Sequence, residues 1–597
     1  MKKVIILGCI LCLLSSTGLI GHQDQEEKAD PLKNFSLVDE TVPVPENVKV
    51  GFSSITGSDA VAYLKFISDD LLDGRDTATK GYSIAALYAA SLFEKWGVKP
   101  LGDPESRATG GRMMMMPPPS AASTNAKKTY FQHIPFREIL SSSSSAEAVW
   151  TKGGLSRSTS FLEGEDFSYY ASGTQTLTAP VVFVGYGIQE SSLKFDDYKN
   201  IDVKGKFVLM IDEAPGKDNP DSPFNKDKMK EKYYPQRRFR RGTTNPKVKA
   251  AMDNGAAGIL MVQNGETPTS SLASRNLASQ RSVNDERPII PGARRRLSLL
   301  ETSGRGSDSI PTIQISRSMA DTLLGFVGEK KLDDYRDVIN TTLKSQSTSL
   351  AGVSLTVESR VEHKLVECMN VIGYIEGSDP ELKKEAIVIG GHLDHLGRRG
   401  DYIYNGADDD GSGSVGVMEI AEAFMKNPVK PKRSVVFALW TGEEKGLYGS
   451  RFYVDNMPIK TYANINLDMI SREYDKERMA RMARRFGEDM TKEAMAKINP
   501  KKYVSLTYDA NTPEIGKYIR ANNAYVGLHI NISASETASG GSDHAPFAQK
   551  NIPWSFFIAA MTEDYHQPSD TVDKVSAGLM EKIIRIAYLT AFDLSMN

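Results

Sequence analysis

The chain has 597 residues, 40% of them hydrophobic and 25% charged, and 73 basic against 75 acidic residues leave a net charge of −2. This length suggests several domains and the composition is that of an ordinary globular protein, while the charge balance leaves no basic surplus for a nucleic-acid-binding face. Of the three cysteines, Cys9 and Cys12 lie in the leader and only Cys368 would remain, which excludes a disulfide scaffold and leaves His and carboxylate groups as metal ligands.

In chain order, Met1-Lys2-Lys3 and the apolar run from Val4 to Leu14 read as a secretory signal, cleaved after Gly18 or Gly21. The run is too short for a membrane span, and no other stretch approaches the roughly 18 apolar residues that a span needs. The expectation is an exported protein, periplasmic or secreted, with no transmembrane segment. Residues 22–50 are polar and Pro-containing, a loose arm. Ser58 is placed as the N-cap of a helix through Ala62, Leu64 and Ile67. Asp73-Gly74-Arg75 reads as a turn, and Tyr82 to Trp96 as a second helix stopped by Gly97. Met113 to Met116, Pro117 to Pro119 and Ser141 to Ser145 have loop or linker compositions.

From about 125 to 350 the texture changes to short strands, at Pro180 to Gly187, Gly205 to Met210 and Gly258 to Val262, with a helix from Lys247 to Gly255. This segment resembles the protease-associated domain. Two Arg-rich loops interrupt it, Arg237-Arg238-Phe239-Arg240-Arg241 and Arg294-Arg295-Arg296. They read as solvated insertion loops, or as a lip attracting acidic substrates.

The chemistry-bearing residues follow. Ala386 to Ile389 is a short β-branched run, read as a buried strand, and Gly390-Gly391-His392-Leu393-Asp394-His395 lies past it. Asn405-Gly406-Ala407-Asp408-Asp409-Asp410-Gly411-Ser412-Gly413 is a Gly-rich acidic turn leading into a helix through Val417, Ile420, Ala421 and Phe424. Three further apolar runs end the same way. Val435 to Trp440 precedes Glu443-Glu444, Ala463 to Leu467 precedes Asp468, and Pro553 to Ile558 precedes Asp564-Tyr565-His566. Open α/β sheets build sites at the carboxyl ends of their strands, and a solvated face would not concentrate acids and imidazoles there repeatedly. Residues 473–498 read as one amphipathic surface helix, and the segment from Thr571 through Leu579, Ile583 and Ile586 as a closing helix.

These motifs resemble the co-catalytic zinc exopeptidases, the family of bacterial leucyl aminopeptidases, glutamate carboxypeptidase II and glutaminyl cyclase, over roughly residues 55–100 and 352–597. The resemblance implies two Zn²⁺ ions bound by His392, Asp409, Glu444, Asp468 and His566. Asp409 bridges in that pattern, since it stands three residues before Ser412-Gly413. How His392, Glu444 and Asp468 divide between the two ions stays open. Asp394 is implied as the acid receiving the free ring N–H of His392, and Glu443 as the general base. A cis bond between Asp409 and Asp410 is implied too. His544 is taken as a pocket residue and His395 as structural, and His22, His133, His363 and His529 lack metal context.

The division that follows is a signal peptide at 1–21, an arm at 22–50, an N-terminal catalytic part at 51–124, a β-rich protease-associated insertion at 125–350, and the main catalytic domain at 351–597. The expected fold is α/β, a mixed and mostly parallel sheet flanked by helices. The implied activity is peptide-bond hydrolysis at chain ends, an aminopeptidase acting on peptide substrates. A carboxypeptidase, a dipeptidase, a one-zinc glutaminyl cyclase and a non-catalytic receptor-like module are the alternatives on this fold. Retention of every ligand position argues against the last two.

Overall fold

The computed structural model describes residues 32–105, 127–169, 171, 173–217, 219–233, 245–262, 296–300, 310–485, 492–538 and 541–597. Four parallel strands form the centre of its main sheet, in the spatial order Ser434–Trp440, Glu385–His392, Lys460–Leu467 and Trp554–Ile558. Each is an apolar run buried on both faces, as parallel strands under helices must be. Alternate residues serve opposite cores. Ile387, Ile389, Val435, Phe437 and Leu439 pack under the helices Gly413–Lys426 and Ala577–Met596. Ala386, Val388, Val436, Ala438 and Trp440 pack on the other side with Tyr453, Phe547 and Ile552. Thr348–Ile375 closes one flank antiparallel to Ser434–Trp440. Beyond Trp554–Ile558 lie Tyr503–Asp509, His529–Ser535 and Phe35–Leu37. The four central strands run the same way, so their carboxyl ends share one edge.

The opening helices are Gly57–Ile67 and Lys80–Trp96, the second ending at Gly97 with φ 80°. The first begins earlier than a Ser58 cap implies. Thr56, in extended conformation, accepts the N–H of Asp59 through its side chain, so Thr56 is the cap and Ser58 lies inside the helix. The expected loose arm is also partly structured. Phe35–Leu37 adds an edge strand to His529–Ser535, and the helix Glu46–Ser54 buries Val48 and Phe52. A free sheet edge and an apolar surface outside the local sequence order this stretch.

The inserted segment has its own apolar cores. The ladder Gln175–Phe183, Phe207–Ile211, Gly258–Val262 and Thr312–Ile315 packs through Phe183, Phe207, Leu209, Leu260 and Ile313 onto Leu323 and Leu355. A ribbon of Phe131–Lys152 against Thr348–Ile375 joins it to the main sheet. Ser141 to Ser145 lie inside this ribbon and not in a linker, paired along Ser144↔Ser359 and Ser145↔Glu358. The partner strand supplies a backbone ladder that outweighs the weak β-preference of serine. Within the helix read over 473–498, Lys476–Arg485 and Lys492–Ala496 are helical, and residues 486–491 lie outside the described residues. Residues 1–31, the Met and Pro runs at 113–119, and the Arg residues at 237–241 and 294–295 lie outside the described residues. Arg296 opens the strand Arg296–Leu299, which pairs with Phe131–Lys152. No described helix is long and apolar enough to cross a membrane.

Candidate metal centre

The shared carboxyl edge brings together donors from five loops. His392 ends its strand, with Nε2 3.2 Å from Asp409 Oδ1, 3.8 Å from Asp468 Oδ1 and 3.9 Å from Glu443 Oε2. On the other side, His566 Nε2 lies 3.2 Å from both Asp409 Oδ2 and Glu444 Oε1. The two oxygens of Asp409 therefore face different groups. Among the described residues, His392 with Asp409 and Asp468, and His395 with Asp409 and Glu444, form the sets whose donor atoms converge within 4.8 Å. Every sequence-predicted site residue except Asp394 contributes a side-chain atom to this cluster.

Asp394 works differently from the sequence expectation. The His392 Nδ1 contact is to the backbone oxygen of Asp394, at 2.9 Å, while the Asp394 carboxylate is 4.0 Å away. That carboxylate instead accepts the Thr77 hydroxyl at 2.9 Å and the Glu443 N–H at 3.1 Å. It positions the loop that carries Glu443. The separation of backbone and side chain at one residue leaves no trace in sequence.

The three consecutive aspartates divide their work in the same way. Asp410 accepts the N–H groups of His392, Gly413 and Met469 at 2.9, 2.9 and 3.1 Å, tying three segments together. Asp408 accepts the Ser471 N–H and hydroxyl at 2.9 and 2.7 Å. Only Asp409 points into the cluster. The Asp409–Asp410 peptide bond is cis.

Charge in the cluster is heavily negative. Burial pushes the Glu443 carboxyl well up, with Asp543, Glu444 and Asp468 adding to it and His392 opposing. Burial likewise raises Asp468, to about 6. For Glu444, burial is outweighed by the imidazoles of His566 and His395, which hold it well below the usual range. Burial opposes charge on His566 too, but Glu444 and Asp409 lift it to about 9. Such a concentration of buried carboxylates calls for cations. Asp409 Oδ2 and Glu444 Oε1 are buried and make no hydrogen bond among the described residues, as expected of oxygens aimed at a metal rather than at a donor. An all-N/O set of imidazoles and carboxylates suits zinc. The residues present fit such an ion.

Three residues of this architecture are not legible in the sequence. Arg75, expected in a turn, is fully buried and donates to the carbonyls of Ile67, Leu393 (2.8 Å), Asn405 (2.7 Å) and Gly406 (3.0 Å). It joins the loop after His392 to the acidic turn. Asp570 accepts the N–H groups of Asp408 and Asp409 at 3.0 Å each, and Arg472 holds it at 2.9 Å. No local pattern distinguishes either from a solvated charge. Tyr565, in sequence no more than the neighbour of His566, stacks on its ring at 3.8 Å between centroids. Burial and the carboxylates of Asp409, Glu444, Glu443 and Asp468 keep its phenol protonated.

A mixed sheet with a parallel centre, and acidic and imidazole donors converging at the carboxyl edge of those central strands, defines an α/β protein built around a metal-type centre. Residues 370–591 match the model of Peptidase family M28. The leupeptin-inactivating enzyme 1 of Streptomyces exfoliatus is 31% identical over 31% of this chain and 34% of its own. A glutamate carboxypeptidase 2 homolog of Caenorhabditis briggsae is 26% identical over 50% of this chain and 38% of its own. The match thus spans little more than a third of these curated relatives. Among solved structures, an aminopeptidase from Aneurinibacillus sp. strain AM-1 superposes with a TM-score of 0.47 at 17% identity, covering 92% of this chain and 96% of that one.

Proposed function

We propose that the chain is an exported exopeptidase that binds two zinc ions and hydrolyses peptide bonds at chain ends, acting as an aminopeptidase. The observation that carries this reading is Asp409, whose two oxygens each stand 3.2 Å from a different imidazole, those of His392 and His566. That is how a bridging carboxylate is placed. Asp468 and Glu444 complete the two halves. When bound, a zinc pair would polarise the scissile carbonyl and lower the pKa of water.

The protein's own groups supply the rest. Glu443 sits beside His392 and, made more basic by burial, takes a proton from water at a carboxylate oxygen and hands it to the leaving amine. Asp394 holds the Glu443 backbone so that this carboxylate stays in place. Export rests on the Lys2-Lys3 leader and the apolar run after it, and the segment at 125–350 is read as a protease-associated domain.

The test is to assay the purified protein on N-terminally free and N-terminally blocked peptides, with and without chelator, and to count bound zinc. Chelator-sensitive cleavage of free N-termini with two zinc ions is expected. Cleavage of blocked peptides alone sinks the aminopeptidase reading, and full activity with one zinc or none sinks the bridging role of Asp409.

A further inference from the structure

The sequence reads His395 as structural, yet the fold stands it among the donors. It is fully buried, and neither ring nitrogen has a hydrogen-bond partner among the described residues. Its Nδ1 lies 2.9 Å from Glu444 Oε1 and 3.9 Å from Asp409 Oδ2. The 2.9 Å separation lacks the direction of a hydrogen bond, so the two atoms are close without pointing at each other. Buried polar atoms this close, with no hydrogen bond between them, call for another partner such as a cation.

The spacing agrees with a metal. Ligand atoms about 2.0–2.1 Å from a tetrahedral zinc stand about 3.3 Å apart. On this half of the cluster the observed separations are 2.9, 3.2, 3.2 and 3.9 Å. The ring is also seated firmly. A Cβ on Gly406 would fall 2.5 Å from His395 Cγ, so the absence of a side chain there admits the imidazole. Arg75 O accepts the His395 N–H at 3.2 Å, and the Arg75 guanidinium holds the facing turn.

We propose that His395 is a metal ligand, the fourth protein donor of the half-site formed by Asp409, Glu444 and His566. This rests on the zinc reading above. It makes the two halves unequal. His395, Asp409, Glu444 and His566 fill four positions and close one half. His392, Asp409 and Asp468 supply three donors to the other, and the position left over adjoins Glu443, whose Oε2 is 3.9 Å from His392 Nε2. Closed sites are the mark of firmly held zinc and open ones of catalytic zinc. The half with Glu443 is therefore the exchangeable, reactive one, and the half with His395 is the anchor.

The experiment is a zinc titration of the metal-depleted full chain against a competing chelator, comparing wild type with His395→Phe, which keeps a ring of similar size without the donor. Wild type should show a tight and a weaker site. The variant should lose at least about 10-fold in the tight site and keep the weaker one. Thermal melts separate ligation from packing. Ligation predicts unchanged stability of the metal-free variant and a smaller rise in Tm on adding zinc. An equal fall in Tm with and without zinc, or two unchanged affinities, overturns the proposal. If His395→Phe does not fold, a crystal structure of the zinc-loaded wild type decides. His395 Nδ1 within about 2.3 Å of an ion supports ligation, and a separation beyond about 3 Å refutes it. Absence of any zinc binding by wild type would instead sink the metallopeptidase reading as a whole.

Discussion

The Asp570 carboxylate accepts the backbone N–H of Asp409 at 3.0 Å, so the loop that carries His566 is fastened to the residue that faces both halves of the cluster. Arg472, four residues past Asp468, holds the same carboxylate at 2.9 Å. Three donor loops thus meet at one acid that is not itself a donor. Replacement by alanine leaves the buried N–H groups of Asp408 and Asp409 without that partner. Asp570→Ala should lower zinc occupancy and reduce kcat by about 10–100-fold, the usual cost of removing a group that orients ligands. Metal analysis beside steady-state kinetics checks this, and full occupancy with full kcat would count against it.

Glu443 and Glu444 are adjacent and chemically identical, yet their surroundings differ. Glu444 lies between His395 and His566, while Glu443 faces His392. Glu444→Gln should shed zinc. Glu443→Gln should keep both ions and bind substrate but lose kcat by at least about 10²-fold, since an amide cannot take a proton from water. Zinc loss from the Glu443 variant with a loaded, inactive Glu444 variant would reverse the two roles.

Arg75 donates to four backbone carbonyls from a fully buried position. Hydrogen bonds to a charged group are worth about 1.5–3 kcal/mol each, and carbonyls stranded in the interior cost more. Arg75→Met should cost the metal-free protein at least about 3 kcal/mol by denaturant unfolding, and should weaken zinc binding as the two loops separate. A loss under about 1 kcal/mol would mean that the guanidinium is dispensable.

Glu419, on the helix behind the acidic turn, is buried; among the described residues its Oε1 has no hydrogen-bond partner, and its other oxygen accepts the Thr56 N–H at 3.3 Å. Burial lifts its carboxyl to about 8, with Glu422 and Asp59 adding to it. Between the ordinary value of 4.5 and 8 the native state keeps a proton that the unfolded chain releases. The contribution is fully present below the lower value and is lost as pH rises through the upper one, at about 1.4 kcal/mol for each pH unit separating the two values. Glu419→Gln should therefore stabilise the metal-free protein at pH 8 and not at pH 4.5. Denaturant unfolding across this range tests it, and parallel stability–pH curves for the two proteins would refute it.

Local chemistry carried much of this protein in readable form. The runs around Ile387, Val436, Ile465 and Phe556 are short, apolar and β-branched or aromatic, and each becomes a central parallel strand because burial on both faces demands such a run. Since sites gather past the carboxyl ends of those strands, the loops carrying His392, Glu443-Glu444, Asp468 and His566 could be picked out with no coordinates. The choice of Asp409 among three consecutive aspartates, and the separate roles of Glu443 and Glu444, are implied only by the resemblance to zinc exopeptidases. What sequence could not carry is which atom of each residue does the work. That His392 meets the backbone oxygen of Asp394 and not its carboxylate, or that one aspartate of three turns inward, is decided by backbone geometry shared among distant loops. Arg75 reaches Asn405 across 330 residues, and Asp570 reaches Asp409 across 161. A charge on a short polar stretch reads as solvated unless its partner is known, and the partner is known only once the chain is folded. His395 is the clearest case. Nothing in its neighbours separates a packed imidazole from a metal donor, and only the placement of Glu444 and Asp409 beside it makes the distinction, because ligation depends on donor atoms from distant loops converging.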